Sequence, residues 1–472
     1  MEYLIGIIVF LPGLVSLLLG AFWLLGIELS ERMVARLTGL CYLISTGSIL
    51  ILLGMMLQTG QNEVRLSLGN WFEAGEYHFP LLLVIDRLSM PLVMLSTVLV
   101  GVIGAFSVRY LHRDPGYHRF FILLNIFGFG ITLLFTAGSF DMIIGGWELV
   151  GLTSVLLIGF FQYRDEPVRS AIRVFLTYRV CDIGLLTGVA LLHHYAGTAI
   201  FTQLFNATGG TWPQGGSTLG NGAATLVGLL LLLGAMGKAA QIPFSGWLPR
   251  AMEGPTPSSA IFYGALSVHA GAYLLLRAQP LIGSSKVVTG AVIVVGLLTA
   301  IHGTMVGRAC ADAKTAIGYA AMAQLGIIFV EIGFGLQWIA LLHITGHAVV
   351  RTLQFLRAPS MLHDHHRIHA AAGGHLGETG NHFELIIPRR LRSWLYRLAI
   401  EQGHHDTLIE RLGIGPIIRL AAFLTKVEAR WTAIIIAQAP NPAAPLSSRN
   451  SLRSMKRFQI DSINRTMERA DV

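Results

Sequence analysis

Apolar runs long enough to cross a bilayer, about 20 residues each, recur along most of this chain, separated by short polar or glycine-rich breaks. They predict eleven spans, near residues 3–25, 37–57, 88–111, 119–138, 141–163, 170–192, 224–242, 257–276, 287–307, 314–334 and 337–356. Between the second and third, residues 58–80 are polar and alternating, which predicts a short external turn or hairpin. Residues 206–222, rich in Gly, Ser, Thr and Asn and without charge, suit an external loop. The seventh run differs from the others. It carries Lys238 inside apolar sequence and then Gln241, Ile242 and Pro243, so the helix should break close to the lysine. A charge within hydrocarbon beside a helix break is the arrangement expected where irregular backbone lines a hydrated cavity. The alternative is a lysine that snorkels from a helix end. The fold class expected is an all-α, polytopic membrane helix bundle of about eleven spans with a discontinuous seventh helix.

Composition supports this class. The chain of 472 residues is 53% hydrophobic and 13% charged, where a soluble protein carries about 25% charged residues. Eleven Lys or Arg lie in or beside the loops after odd-numbered spans, against four (Arg65, Arg87, Arg277, Lys286) after even-numbered ones. This asymmetry puts the N-terminus outside and the C-terminal tail in the cytoplasm. The first run lacks a basic leader and a small-residue cleavage site, so it reads as a retained helix. The net charge of +8 gathers in the tail and in alternate loops, which is no nucleic-acid footprint. Cys41, Cys181 and Cys310 have no metal-ligand spacing.

Polar residues inside the spans carry the candidate chemistry. The fifth span contains Glu148; the sixth contains Arg179 and Asp182, one helical turn apart. A lone carboxylic acid in hydrocarbon takes up a proton, whereas a neighbouring cation keeps it ionised. If Glu148 meets Lys238 across helices, each biases the other's protonation, as a relay requires. Otherwise Glu148 is interhelical glue, with Arg179 and Asp182 a local salt bridge. His269 in the eighth span, His302 in the ninth and Lys314 at the start of the tenth add titratable groups. His343, His347 and Arg351 then form a stripe on one face of the eleventh. Zinc could use the two histidines, but no third ligand lies in register, so a proton path is the better reading.

In combination, Trp147-Glu148, Arg179 with Asp182, Gly237-Lys238 through Pro243, Glu253-Gly254-Pro255-Thr256-Pro257, Asp312 with Lys314, and His343 with His347 resemble the antiporter-like proton-conducting subunits of respiratory complex I and of multi-subunit cation/proton antiporters. The resemblance covers roughly residues 80–357. It implies that Glu148 and Lys238 are the coupled acid and base of one half-channel, and that His343 and His347 lie on a connecting hydrophilic axis. Two departures stand out: Tyr263 replaces a histidine usual in the complex I pattern, and Arg351 replaces a lysine. Arginine holds its proton, so Arg351 can steer protons but not carry them. Later spans with a second channel lysine, and the long lateral helix, have no counterpart in the sequence.

The run from Arg351 to Asp364 looks like the membrane subunit of the DAB-type inorganic-carbon accumulation system. That likeness implies a large cytoplasmic zinc-binding partner similar to β-carbonic anhydrases, with ion influx driving one-way hydration of CO2. The other readings are an antiporter-like subunit of a redox-driven complex, and a passive scaffold. The chain itself shows no haem, flavin, iron–sulfur or phosphate-binding motif, so no cofactor is expected and the chemistry would belong to partners. Protons suit the titratable groups, although sodium could also use Glu148 and backbone carbonyls.

Residues 1–360 thus read as the transmembrane domain and 361–472 as a tail. Eight of seventeen histidines fall between His363 and His405, with irregular spacing that fits a polar connector better than a metal site. Leu391 to Gln438 alternates basic and apolar residues in a way that predicts an amphipathic helix at the cytoplasmic face or on a partner. A proline-rich linker follows near Pro440.

Overall fold

A computed structural model describes residues 1–27, 29–75, 77–206, 212–213, 215–310, 312–371, 388–401, 411 and 415–438. The predicted His-rich connector beyond 371 and the linker after 438 lie outside the described residues. Among the described residues, ten helices are long and apolar enough to span a membrane. They are α1 (Glu2–Leu24), α2 (Glu31–Thr59), α3 (Ser89–Tyr110), α4 (Tyr117–Thr136), α5 (Phe140–Ile158), α6 (Asp165–Ala196) and α7 (Asn221–Lys238). After the broken eighth segment, which ends in α8 (His269–Arg277), come α9 (Lys286–Ala309), α10 (Ala313–Gly333) and α11 (Gln337–Ala371), the last running unbroken through residue 360. Several begin on the hydroxyl or carboxylate caps that free backbone N–H groups need: Ser30, Ser139, Ser285 and Asp312. Glycines allow close packing within the bundle. A methyl on Gly296 of α9 would lie 2.5 Å from the Gly326 carbonyl of α10, and one on Gly237 of α7 would lie 2.3 Å from Cys181 Cβ of α6.

The predicted hairpin is present and longer than expected. Strands β1 (Glu63–Ala74) and β2 (Tyr77–Asp86) pair antiparallel, with irregular register around Asn70. Leu83 bridges to Ala137 and Ser139 to Ile200, so the hairpin, the α4–α5 turn and the start of the 197–220 segment share one face of the bundle.

Two expectations need correction. The eighth span is not continuous: a turn of α-helix (Thr256–Ser259) passes into a π-helical turn (Ala260–Ala265), and α8 starts only at His269. The cause is tertiary. A Cβ on Gly264 would sit 2.7 Å from the Cα of Thr352, so this segment is pressed against the backbone of α11. Second, Arg277 is no loop charge. It is 1% exposed, with Nη1 2.5 Å from Asp86 Oδ2 and Nη2 3.2 Å from Oδ1. Asp86 also accepts from the backbone N–H groups of Leu88 and Ser89, and so fixes the start of α3.

Beyond the bundle, α12 (Arg389–Ile400) packs on α9 and buries Ala399. Residues 410–472 form a second unit, in which the described part is the helix α13 (Gly415–Gln438), with Ile418, Phe423 and Trp431 exposed. Two helices therefore stand where the sequence predicts one amphipathic run.

Candidate functional site

Lys238 is the last residue of α7 and is 1% exposed. The helix ends there because its final carbonyls find other donors. Gln241 N–H reaches Met236 O at 2.9 Å and Ala240 N–H reaches Gly237 O at 3.4 Å, the pairing of a Schellman cap. Ala240 has φ +50°, the left-handed conformation that glycine usually supplies. Trp247 donates its indole N–H to Gly237 O at 2.9 Å, and Ile242 donates its N–H to Thr299 of α9 at 3.1 Å. Pro243, after a cis peptide bond, leads into short turns over Phe244–Glu253. The break predicted at Lys238 thus falls on the residue itself. A cation there also complements the partial negative charge of the helix C-terminus.

The ammonium donates to the backbone carbonyl of Trp147 at 3.0 Å and lies 4.6 Å from the Tyr178 ring centroid and 5.1 Å from that of Trp147. Both ring contacts are cation–π interactions. The carboxylate of Glu148 turns instead to Arg179, whose Nη2 lies 2.5 Å from Glu148 Oε2 and 2.7 Å from Asp182 Oδ2. Trp147 Nε1 donates to Asp182 Oδ1 at 2.7 Å. Among the described residues no ion pair within 4.0 Å joins Lys238 to Glu148. The expected pair is replaced by a quartet of two cations and two carboxylates linked through Trp147. Gly151 completes the pocket: a methyl there would lie 2.8 Å from Lys238 Nζ. Arg179 Nε and Asp182 Oδ2 are buried without a geometrically formed hydrogen bond, so the quartet is incompletely satisfied.

A second cluster is built on α8, α10 and α11. The π-helical turn sets His269 at the start of α8, with Nε2 2.8 Å from His347 Nδ1. Arg351 Nε donates to His347 Nε2 at 3.3 Å, and because a guanidinium can only donate, that nitrogen is an acceptor. Neutral His347 therefore carries its proton on Nδ1 and donates it to His269. His343 follows, its ring centroid 6.3 Å from that of His347. Its Nδ1 lies 2.9 Å from Glu331 Oε1 and its Nε2 lies 3.0 Å from Gln324 Oε1.

His302 and Lys314 make other contacts. His302 packs its ring edge-on against Tyr319, centroids 6.2 Å apart, and Lys314 donates to Met252 O at 3.3 Å, bracing the turns after the helix break. The sequence reading missed Glu331. It also missed the outer pair Asp141–His193, at 2.9 Å, and Trp147 as the link between carboxylate and lysine. The only available signal was an acidic residue near the end of an apolar run, which reads as a loop charge. No group of three or more His, Cys, Asp or Glu among the described residues could hold a metal ion.

A broken seventh helix ending on a buried lysine, beside a Trp-Glu step and a histidine ladder, characterises this membrane bundle. The family described as NADH:quinone oxidoreductase/Mrp antiporter, TM matches residues 137–376, and the N-terminal family of complex I chain 5 matches residues 71–121. The chain belongs to this family of antiporter-like membrane subunits and is a multi-pass membrane protein. It is 32% identical to NADH-ubiquinone oxidoreductase chain 5 of Neurospora crassa, over 75% of this chain and 48% of that protein. With NADH-quinone oxidoreductase subunit L of Campylobacter jejuni it shares 34% identity over 63% of this chain and 48% of that one. The chain spans about half the length of the curated relatives it matches. Among solved structures it resembles the Mrp complex from Dietzia sp. DQ12-45-1b, with a TM-score of 0.59 and 25% identity over 75% of this chain and 36% of that one. The membrane-bound sulfane sulfur reductase, an archaeal respiratory membrane complex, shares the fold with a TM-score of 0.62 and 18% identity, over 75% of this chain and 70% of that one.

Proposed function

We propose that this chain is an antiporter-like, proton-translocating subunit of a multi-subunit membrane complex, and that the chemistry powering or using the flux resides on other subunits. The observation that carries the reading is the quartet at the break of α7. There Lys238, capped at a helix end and held by the Trp147 carbonyl, sits beside a Glu148–Arg179–Asp182 bridge whose hydrogen bonding is incomplete. Such a cluster is neutral as a whole yet can move a proton by exchanging partners. If Arg179 releases Glu148 toward Lys238, the lysine holds its proton; if Arg179 reclaims it, the lysine is left in a desolvated site and gives the proton up. His269, His347 and His343 continue the path. Relatives named as complex I subunits, and the Mrp complex, support this reading. The test is proton uptake by vesicles containing the complete complex, followed with a pH-sensitive dye. Uptake by wild type that is lost in Lys238→Ala and Glu148→Gln, with assembly unchanged, supports the reading; equal uptake by all three leaves a scaffold.

A finer reading couples inward flux to CO2 hydration by a cytoplasmic zinc partner similar to β-carbonic anhydrases, in a bacterial inner membrane with the N-terminus outside. The run Arg351–Asp364 supports it, as does an arginine at 351, which holds its proton against His347 and steers without carrying. Rescue of carbonic-anhydrase-deficient cells in air by this chain with its partner, abolished by uncoupler, is expected. No rescue by the pair would favour the redox-complex assignment.

A further inference from the structure

α10 ends and α11 begins on the face of the bundle that carries the hairpin. Trp338, in the first turn of α11, packs edge-on against Trp212, centroids 4.8 Å apart. Trp212 in turn donates to Leu276 O, next to the Asp86–Arg277 pair. Glu331 lies two residues before the end of α10, and His343 and His347 lie six and ten residues into α11. At 1.5 Å per residue His347 is about 15 Å along α11, half of the ~30 Å hydrocarbon layer. The line Glu331, His343, His347, His269 therefore runs from that face toward the middle of the bundle.

Its outermost member has the properties of a port. The Glu331 side chain is 16% exposed and that of His343 22%, against 7% for the His347 residue and 1% for the His269 residue. One carboxylate oxygen accepts from His343 Nδ1 at 2.9 Å. The other is buried with no hydrogen-bond partner among the described residues. A carboxylate oxygen left buried and unbonded is costly unless it takes up a proton or a bridging water. His343, clamped between Glu331 and Gln324, has an acceptor on each ring nitrogen. The pair can exist as carboxylate with imidazolium or, after the Nδ1 proton crosses the 2.9 Å hydrogen bond, as carboxylic acid with neutral imidazole.

We propose that Glu331 is the proton port of this chain at the hairpin face. It exchanges protons with the aqueous phase on that side and with His343, whose ring centroid lies 6.3 Å from that of His347. The proposal rests on the proton-translocating reading above.

The test uses vesicles of the complete complex, with uptake rates measured while the pH on the hairpin side is varied and the other side is fixed. Glu331→Gln should lower the rate by about tenfold or more, as loss of a proton-transferring side chain does, and flatten its dependence on hairpin-side pH. Glu331→Asp should keep most of the rate. Glu331→His keeps a titratable group with a higher ordinary pKa, and should move the midpoint of that dependence upward. This gives a readout even if Glu331→Gln fails to assemble. A wild-type rate and pH profile in Glu331→Gln, or an unshifted midpoint in Glu331→His, with Lys238→Ala inactive, would overturn the port and leave the translocation reading intact. No uptake by wild type would overturn both.

Discussion

Two ion pairs in this bundle look alike in composition and differ in burial and finish. Arg277 and Asp86 are each 1% exposed in their side chains, bonded at two points, and closed off by Tyr273, whose hydroxyl accepts from the guanidinium and donates to Phe135 O at 3.0 Å. Asp86 also holds the first N–H groups of α3. Arg179, by contrast, divides one nitrogen between Glu148 and Asp182, its side chain is 36% exposed, and its Nε and Asp182 Oδ2 have no geometrically formed hydrogen bond. A fully satisfied pair has one arrangement and serves as a rivet. An incompletely satisfied one has alternatives of similar energy, which a relay requires. The hydrogen bonds left unmade, and not charge alone, therefore separate the two sites.

This contrast can be broken by substitution. The largest effect is expected at the rivet. Arg277→Met leaves Asp86 charged and unpaired, and should cost about 3–5 kcal/mol of stability, as removal of one partner of a buried pair does. Thermal unfolding in detergent checks this, and an unchanged melting temperature would show that the pair is not structural. Arg179→Gln should do the reverse, lowering proton uptake by about a hundredfold, the scale of losing a proton-positioning group, while the melting temperature moves little because the site is half-open. Gly151→Ala puts a methyl against the Lys238 ammonium. Uptake should fall by about tenfold, the cost of displacing a reacting group slightly, and a normal rate would mean that the lysine does not act from this position. The smallest effect concerns the cap. Ala240→Gly relieves a left-handed alanine and should stabilise by about 1 kcal/mol, read as a higher melting temperature with uptake unchanged.

Much of this was legible in the sequence, for identifiable reasons. Hydropathy places the ten continuous spans, Pro243 places the break at Lys238, and four-residue spacing aligns His343 with His347. What was not legible depends on pairing across the fold. Asp86 and Arg277 are 191 positions apart, and each stands at the end of an apolar run where a charge reads as a loop residue. Glu331 is hidden in the same way. The division of the eighth segment comes from the pressure of α11 at Thr352 on Gly264, which no local pattern announces. The quartet shows the same limit. The sequence presents Glu148 and Lys238 as partners, but Trp147, Arg179 and Asp182 decide how they meet.

The central claim is that Lys238 moves protons. The most direct measurement is dye-monitored proton uptake by vesicles of the complete complex, comparing wild type with Lys238→Ala at matched assembly and matched melting temperature. The account predicts rapid, uncoupler-sensitive uptake by wild type and background uptake by the variant. Wild-type uptake in Lys238→Ala would contradict it.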